Sequence, residues 1–290
     1  MMEKASESSL HKDVEFLTSL RPFRNYKNPA VLKQVVTYLR EEFSSMGFSP
    51  VEQKWMAEGT EYTNVIASYD PENSIRLIVG AHYDVCDDQP GADDNASAVA
   101  GLLETARLVS RNQPKIPYGI DFVSYCLEEP PFFGTNLMGS YVHAKSLKEE
   151  GDIIRGMVCY EMIGYFSDEP HSQQFPLPEL ASQYPNTGDF IVVVGLQEHK
   201  RFTDEFFEKM SADAEINVQK IVFEDPRDLA GLSDHRNYWK FGFPALMIND
   251  TSFLRNPNYH KMTDTIETLD FPKMKAVVDG AYKGITGLSV

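Results

Sequence analysis

Cysteine, long apolar runs and net positive charge are all scarce in this sequence of 290 residues. The three cysteines, Cys86, Cys126 and Cys159, lie in or beside apolar runs, so we expect buried reduced thiols and no disulfide framework. No apolar run reaches the length of a membrane span, and the first residues contain no apolar core typical of a secretory signal. A reducing, cytoplasmic setting without membrane attachment is therefore expected.

The charge balance is strongly acidic, with 43 Asp and Glu against 27 Lys and Arg and a formal net charge of -16. Nucleic-acid binding needs a basic surface, so this balance argues against a nucleic-acid partner. The chain is 42% hydrophobic, enough for a large core. Because no repeat or linker divides it, we expect residues 1–290 to form a single domain. The sequence leaves the oligomeric state open.

Near-continuous apolar runs alternate with helical patterns along the chain. Runs such as those at 77–81 and 190–195 are typical of strands covered on both faces. Eight segments are predicted strands: near 51–56, 64–69, 75–81, 119–127, 156–162, 190–195, 216–223 and 244–249. Helical patterns lie at about 29–46, after Asn95, and near 137–150, 199–214 and 272–286. The sequence therefore predicts an α/β fold, a three-layer α-β-α sandwich around a mixed, mostly parallel sheet of about eight strands.

The segment 167–187 contains four prolines and no clear periodicity. It is long for a loop inside a compact domain, and such loops often form the rim or lid of a binding site. A substrate rim and a plain surface excursion are both consistent with the sequence.

Histidine and carboxylate residues stand at the ends of several predicted strands. In open α/β sheets, ligands bind outside the carboxyl ends of the strands. The residues at these ends, with one at a predicted helix start, are His82, Glu128, Glu129, Glu161, His260 and Asp94. Imidazole and carboxylate ligands suit zinc or a similar cation. The sequence therefore predicts a metal site at this edge of the sheet.

Two metal ions a few ångströms apart need a shared anion to offset their repulsion. Asp94 directly precedes the predicted helix start at Asn95, where the helix dipole favours negative charge, so it suits that bridging position. The other acidic residues of this loop, Asp87, Asp88 and Asp93, are expected to be solvated.

Glu128 and Glu129 are adjacent at a strand end, and adjacent extended residues point in opposite directions. One of them can therefore bind metal while the other takes a proton from the attacking water. Asp84, two residues after His82, lies on the same side of an extended chain and is placed to accept the second imidazole N–H. His235, at a predicted helix start, is interpreted as a cleft-wall or structural residue and not as a ligand.

Six segments resemble, closely and in order, metallopeptidase family M28, which includes bacterial di-zinc aminopeptidases, glutamate carboxypeptidase and glutaminyl cyclases. They are VGAHYDV (79–85), PGADDNASA (90–98), LEEPPFFG (127–134), YEMIGY (160–165), LSDHRNYW (232–239) and NYHKMTDT (258–265). The resemblance implies a zinc-dependent exopeptidase, foremost an aminopeptidase that hydrolyses the N-terminal bond of a peptide or small amide substrate.

The resemblance also implies a role for each site residue. It makes His82 and Glu161 ligands of one zinc ion, Glu129 and His260 ligands of a second, and Asp94 the bridge between them. It makes Glu128 the general base, Asp84 the partner of His82, and Tyr259 a group that stabilises the tetrahedral intermediate.

The sequence departs from the family pattern at two places, of which the first is a small change that should be tolerated and the second bears on the substrate. Ala98 stands where the family commonly has Gly, and the run at 130–133 (PPFF) replaces a small, Gly-containing one. We expect the two prolines and two phenylalanines to stiffen and narrow the approach to the metals. Two other functions are considered, a glutaminyl-cyclase-like aminoacyltransferase with one zinc ion and a non-catalytic binding module. The complete ligand set favours hydrolysis.

Overall fold

The computed structural model describes residues 2–227 and 229–290, so Met1 and Asp228 of the predicted domain lie outside the described residues. One mixed sheet runs through these residues. Its strands are β1 (Val51–Ala57), β2 (Thr60–Tyr69), β3 (Ile75–His82), β4 (Gly119–Tyr125), β5 (Ile153–Glu161), β6 (Phe190–Leu196), β7 (Asn217–Phe223) and β8 (Ala245–Asn249). Their order across the sheet is β1-β2-β4-β3-β5-β8-β6-β7.

Helices cover both faces of the sheet. They are α1 (Glu7–Ser19), α2 (Pro29–Ser45), α3 (Ala98–Asn112), α4 (Gly139–Glu150), α5 (Pro178–Ala181), α6 (Lys200–Ser211), α7 (His235–Lys240) and α8 (Phe271–Thr286). Helices α1, α2, α3, α6 and α8 share one apolar core with the sheet, whereas α4 and α7 pack into a second core on the opposite face. This arrangement confirms the predicted three-layer sandwich.

Helix α2 illustrates how the sequence produces this packing. It begins with Pro29, whose fixed φ suits a first helical turn. Its side chains at Val35, Leu39 and Phe43 are fully buried on one stripe against the sheet, and each buried apolar side chain contributes roughly 1.5–3 kcal/mol. The helix ends before Gly47, whose φ of 89° is readily adopted by glycine.

Four central strands, β4, β3, β5 and β8, run parallel to one another. The neighbouring strands β2 and β6 run antiparallel to this group. The parallel strands are almost entirely buried, which explains why they appear as continuous apolar runs in the sequence. Because they point the same way, their carboxyl ends meet at one edge, and the residues that follow them are brought together there.

All eight predicted strands are present, with boundaries that differ by a few residues at most. The helix predicted after Asn95 begins later, at Ala98. Within residues 2–227 and 229–290, no helix combines the length and apolar character needed to cross a membrane.

Candidate metal centre

Two histidines and four carboxylates converge at the carboxyl edge of the parallel strands. His82 Nε2 lies 3.3 Å from Glu161 Oε2, 3.6 Å from Asp94 Oδ1 and 3.8 Å from Glu128 Oε2. On the other side, His260 Nε2 lies 3.0 Å from Asp94 Oδ2 and 3.4 Å from Glu129 Oε2. These are the six residues that the strand ends predicted to lie together.

The Asp94 carboxylate stands between the two imidazoles, with one oxygen towards each. Potential ligand atoms of His82, Asp94 and Glu161 lie within 4.8 Å of one another. Asp94 Oδ1 and Glu129 Oε1 are buried, yet neither has a hydrogen-bond partner among the described residues. A buried carboxylate oxygen without a partner is costly unless a cation satisfies it. The donor set therefore fits two neighbouring cations that share Asp94.

Burial and the charges of neighbouring site residues shift the pKa values of Glu128, Glu129 and His82. Burial and the neighbouring carboxylates Glu129 and Glu161 raise the pKa of Glu128 well above its usual range, although His82 opposes this shift. Burial, followed by the charge of Asp94, raises the pKa of Glu129 to about 8. Burial alone would lower the pKa of His82, but Glu161 and Glu128 raise it well above its ordinary value. Such a concentration of buried negative charge favours a bound cation.

The prediction that a helix starts at Asn95, directly after Asp94, is wrong, because the regular helix begins at Ala98. Residues 92–97 form an irregular turn in which Asp94 (φ -100°, ψ 91°) and Asn95 are not helical. The Asp264 carboxylate shapes this turn by accepting the backbone N–H groups of Asp93 and Asp94, at 2.9 and 3.1 Å. Gly91 precedes it with a φ of 61°, and a Cβ there would lie 2.3 Å from the Asp94 carbonyl oxygen. Asp94 is therefore positioned by hydrogen bonds to a remote carboxylate and not by a helix dipole.

The prediction that Asp93 is solvated is also wrong, whereas Asp87 and Asp88 are exposed as expected. Asp93 is fully buried. Its oxygens accept hydrogen bonds from Asn256 Nδ2 at 2.7 Å and from the Gly164 backbone N–H at 3.0 Å. Asp93 thus ties the ligand-bearing turn to the segments that follow β5 and β8.

Asp84 connects His82 to the two adjacent glutamates. Its carboxylate accepts the backbone N–H groups of Glu128 and Glu129, at 3.2 and 3.1 Å. His82 Nδ1 lies 3.2 Å from the Asp84 carbonyl oxygen and 3.6 Å from its carboxylate. Asp84 therefore fixes the glutamate pair through the backbone, and it orients the imidazole mainly through its own carbonyl.

Glu161 is held by side chains from three other segments. Ser233 donates to its Oε2 at 2.5 Å, and Asn95 Nδ2 donates to the same oxygen at 3.3 Å. Asn249, the last residue of β8, donates to the Glu161 backbone carbonyl at 2.7 Å. These contacts leave the second carboxylate oxygen of Glu161 available to a ligand.

Tyr259 lies flat against His260, with the ring centroids 3.8 Å apart and an interplanar angle of 18°. Burial and the nearby Asp94 and Glu129 carboxylates raise the pKa of Tyr259. Its hydroxyl is therefore protonated at neutral pH and can donate a hydrogen bond. His235, in contrast, is fully buried with its Nε2 2.6 Å from the Ala230 carbonyl oxygen, and it does not line the cleft. Of the two interpretations left by the sequence, the structural one therefore applies.

A buried arginine supports the loop that leads to Asp94. Arg24 donates to the backbone carbonyls of Tyr83 at 2.9 Å and Gly91 at 2.6 Å, and also to that of Pro90. Burial lowers the pKa of Arg24 to about 10, against the opposing charges of Asp264 and Asp94. Arg24 thus places a positive charge near the site and satisfies three backbone carbonyl groups of this loop. Because these partners are backbone groups, the sequence alone does not indicate the role of Arg24.

Cys126 and Cys159 are buried as predicted, but Cys86 is only partly buried and lies at the site. Potential ligand atoms of Cys86, Glu129 and His260 lie within 4.8 Å of one another. The prediction of three buried thiols is therefore wrong for Cys86. Cys86 lies beyond His82, the last residue of β3, where the chain has left the sheet and approaches the surface.

We expect one thiol per native chain to react rapidly with an aromatic disulfide reagent, because Cys86 is accessible whereas Cys126 and Cys159 are buried. Saturation with zinc should slow this reaction at least several-fold, since the thiol lies beside Glu129 and His260. Release of the thiolate chromophore measures both effects. Cys86→Ser is the matched control and should remove the rapid phase. A second rapidly reacting thiol, or a rate indifferent to zinc, would contradict this expectation.

The segment 167–187 forms part of the wall of an apolar cleft of about 750 Å³, open to solvent, that reaches Glu161. From this segment come Gln173, Phe175, Pro176, Leu180 and Tyr184, and the opposite wall includes Val192, Val194, Ile221, Phe223, Met247 and Phe253. A cleft with mainly apolar walls and a few convergent polar groups is typical of a small-molecule site. Of the two possibilities left by the sequence, the structure therefore favours a binding-site rim.

The PPFF run narrows the site less than predicted. Pro130 and Pro131 are exposed, and Phe132 is buried between Tyr26 and Tyr62, at ring-centroid distances of 5.4 and 6.2 Å. The prediction that both phenylalanines crowd the approach is therefore wrong for Phe132, which is an anchor in the core. Of the two phenylalanines, only Phe133 is partly exposed.

Several supporting residues were not identified from the sequence, namely Asn95, Ser233, Asn249, Asn256 and Asp264. Ser233 and Asp264 lie within the segments LSDHRNYW and NYHKMTDT, so their proximity in sequence to the site residues was a usable signal. Asn249 and Asn256 carry no such signal. Their roles depend on contacts between segments distant along the chain.

The chain is similar to known proteins in both sequence and fold. The sequence profile of Peptidase family M28 matches residues 64–284. The Escherichia coli (strain K12) uncharacterized protein YfbL is 40% identical over 286 residues, which cover 95% of this chain and 86% of that protein. Leucine aminopeptidase 1 of Arthroderma otae is 25% identical over 296 residues, covering 94% and 72% of the two chains.

Solved structures show the same fold. The LapA aminopeptidase of Legionella pneumophila has a TM-score of 0.77 at 18% identity, covering 97% of this chain and 71% of that chain. The glutaminyl cyclase of Bacteroides thetaiotaomicron has a TM-score of 0.74 at 19% identity and covers the whole of both chains. One fold is thus shared by proteins with different activities.

Proposed function

Because the chain belongs to Peptidase family M28, we propose that this peptidase is a zinc-dependent exopeptidase, specifically an aminopeptidase that hydrolyses the N-terminal bond of short peptides. The observation that carries the proposal is the Asp94 carboxylate between two imidazoles, with the buried Glu128 carboxylate beside one of them. That arrangement offers two adjacent cation sites and a separate base.

In this proposal one zinc ion is held by His82 and Glu161, a second by Glu129 and His260, and both by Asp94. Histidine and carboxylate side chains are common zinc ligands, and a bridging carboxylate lowers the repulsion between two ions. Bound zinc would polarise the scissile carbonyl and lower the pKa of a water molecule. The partnerless oxygens of Asp94 and Glu129 support this ligand set.

Glu128 would accept a proton from the attacking water and pass it to the leaving amine. Its carboxylate is buried, and its backbone N–H is held by Asp84. Its Oε2 lies 3.8 Å from His82 Nε2, so the base would stand directly beside the zinc ion held by His82 and Glu161. Tyr259 would donate a hydrogen bond to the oxyanion as charge develops on the carbonyl oxygen.

The apolar cleft beside Glu161 would hold the side chain of the N-terminal residue. Leucine or phenylalanine fits its walls of Phe175, Val194, Met247 and Phe253 better than a charged residue, because an unpaired charge would be costly there. The similarity to the leucine aminopeptidase of Arthroderma otae supports the same class of side chain.

The substrate Leu-Leu tests the proposal when compared with N-acetyl-Leu-Leu and Asp-Leu. We expect zinc-loaded enzyme to hydrolyse Leu-Leu, with at least roughly a tenfold lower kcat/KM for Asp-Leu because its charge enters the apolar cleft. A chelator should abolish activity, and zinc should restore it. Hydrolysis of N-acetyl-Leu-Leu at the rate of Leu-Leu would contradict an aminopeptidase.

The shared fold with a glutaminyl cyclase makes a peptide with N-terminal Gln the necessary additional substrate. We expect hydrolysis and no ammonia release from cyclisation, because two complete ligand pairs flank Asp94. Rapid formation of a pyroglutamyl peptide would instead assign the chain to the aminoacyltransferases.

A further inference from the structure

Arg236, in α7, holds its guanidinium over the ring of Phe133, with Cζ 4.6 Å from the ring centroid. Within the part of the chain that the structure describes, no carboxylate lies within ion-pair distance of this guanidinium. Arg76, Arg107 and Arg155 are each paired with a carboxylate, and the guanidinium groups of the buried Arg24 and Arg255 donate to backbone carbonyls. A fixed, unpaired cation is notable in a chain with a net charge of -16.

The guanidinium lies between two segments that carry site residues. Arg236 closely follows Ser233, which donates to Glu161, and Phe133 closely follows the Glu128-Glu129 pair. Gly134, with a φ of 77°, brings the backbone near the guanidinium, so that a Cβ there would lie 3.5 Å from Arg236 Nη1. Burial lowers the pKa of Arg236 while the charge of Glu128 opposes the shift, which agrees with this proximity.

Arg236 is absent from the walls of the apolar cleft beside Glu161. Its contact with Phe133 places it instead beside the segment that carries Glu128, the group proposed to deliver a proton to the leaving amine. In the inference drawn here, the residue that carries this amine faces Arg236. A guanidinium recognises a carboxylate through two parallel hydrogen bonds, and Phe133 restricts its orientation by stacking.

We propose that Arg236 binds the C-terminal carboxylate of a dipeptide, so that the preferred substrates are dipeptides with an apolar N-terminal residue. This inference rests on the proposed aminopeptidase function and adds a limit on substrate length. A longer peptide offers no α-carboxylate one residue beyond the scissile bond. Arg236 also places a local positive charge near the substrate carboxylate in a protein whose net charge is -16.

The test compares Leu-Leu with Leu-Leu-NH2, which differ only in the terminal charge. With zinc-loaded wild-type enzyme, we expect kcat/KM to be about 10- to 100-fold higher for Leu-Leu, the range given by a charge-assisted hydrogen bond. Arg236→Gln should reduce this ratio to within about threefold of unity, mainly through KM. Arg236→Lys should retain part of the preference, because it keeps the charge but loses the planar fork.

Lys240→Gln is the matched control, because it removes a positive charge one helical turn from Arg236, where Lys240 lies over Tyr141. Its ratio should equal that of the wild type. Thermal midpoints and zinc content establish that each variant is folded and loaded, and Arg236→Lys supplies the comparison if Arg236→Gln does not fold.

A wild-type ratio near unity, or an unchanged ratio in Arg236→Gln, would overturn the inference. Equal rates for Leu-Asp-NH2 and Leu-Leu would overturn the dipeptide assignment, because an acidic side chain would then be the recognised group. If neither Leu-Leu nor its amide is hydrolysed, the proposed aminopeptidase function fails, whereas hydrolysis of both at equal rates defeats only the role of Arg236.

Discussion

Replacement of Glu128 by Gln is expected to lower kcat by about 10³-fold while zinc content stays at the wild-type level. Glutamine keeps the size of the side chain but cannot accept a proton. Glu128 is buried beside His82, yet it is the carboxylate farthest from His82 Nε2 among those that face it, at 3.8 Å. Because Glu128 holds neither zinc ion in the proposed ligand set, removal of its charge should affect proton transfer more than metal binding.

Glu129→Gln provides the contrast, since the two residues are adjacent and the change is the same. Glu129 faces His260 at 3.4 Å and has a buried oxygen without a partner, so its variant should lose zinc as well as turnover. Steady-state kinetics and elemental analysis measure the two effects. A fully active Glu128→Gln enzyme, or one that lost zinc to the same extent as Glu129→Gln, would contradict the assignment of Glu128 as the base.

Asp94→Asn should weaken zinc binding by more than about 100-fold, a larger loss than is usual for a group that only supports a ligand. The carboxylate faces both imidazoles, so its neutralisation removes the charge that both cations would share. Activity at limiting zinc should fall in parallel. Zinc per chain after dialysis, and titration with a competing chelator, measure the affinity.

The control for this change is Asp88→Asn, which removes the same charge from the exposed part of the same loop. It should bind zinc like the wild type. If Asp94→Asn retained full zinc occupancy against the chelator, the bridging role of Asp94 would have to be abandoned.

The sheet and the convergence of the six site residues were predictable because they depend on local patterns. The apolar runs of β3, β4, β5 and β8 mark buried parallel strands, and the direction of such strands brings the residues that follow them to one edge. His82 and Glu161 are themselves the last residues of their strands. The roles proposed for the individual residues remain predictions, which the variants described above address.

The conformation of the turn at Asp94 was not predictable in the same way. A run of small and acidic residues before a helix favours a helical first turn, but Asp264 accepts the backbone N–H groups of Asp93 and Asp94 from a position about 170 residues away along the chain. The burial of Asp93 depends likewise on Asn256. A periodicity argument contains no information about such contacts, so an acidic loop appears solvated when its partners are unknown.

The same reasoning explains the errors at Cys86 and Phe132. Cys86 follows an apolar strand, but it lies where the chain leaves the sheet at the site. Phe132 follows two prolines in an exposed run, but it fills a space between the aromatic rings of Tyr26 and Tyr62. The local sequence therefore suggests a buried Cys86 and an exposed Phe132. Their actual exposure is set by contacts with residues that are distant along the chain.

The residues that converge on Asp94 and the residues that would select the substrate belong to different parts of the architecture. The former stand at strand ends or in turns fixed by buried hydrogen bonds. Much of the cleft wall comes from the segment 167–187, and the support of Arg236 comes from the PPFF run. Under the proposed function, changes in the segment 167–187 or at Phe133 would alter the accepted peptide without disturbing the sheet. Substrate preference and metal binding would therefore be able to vary independently in this architecture.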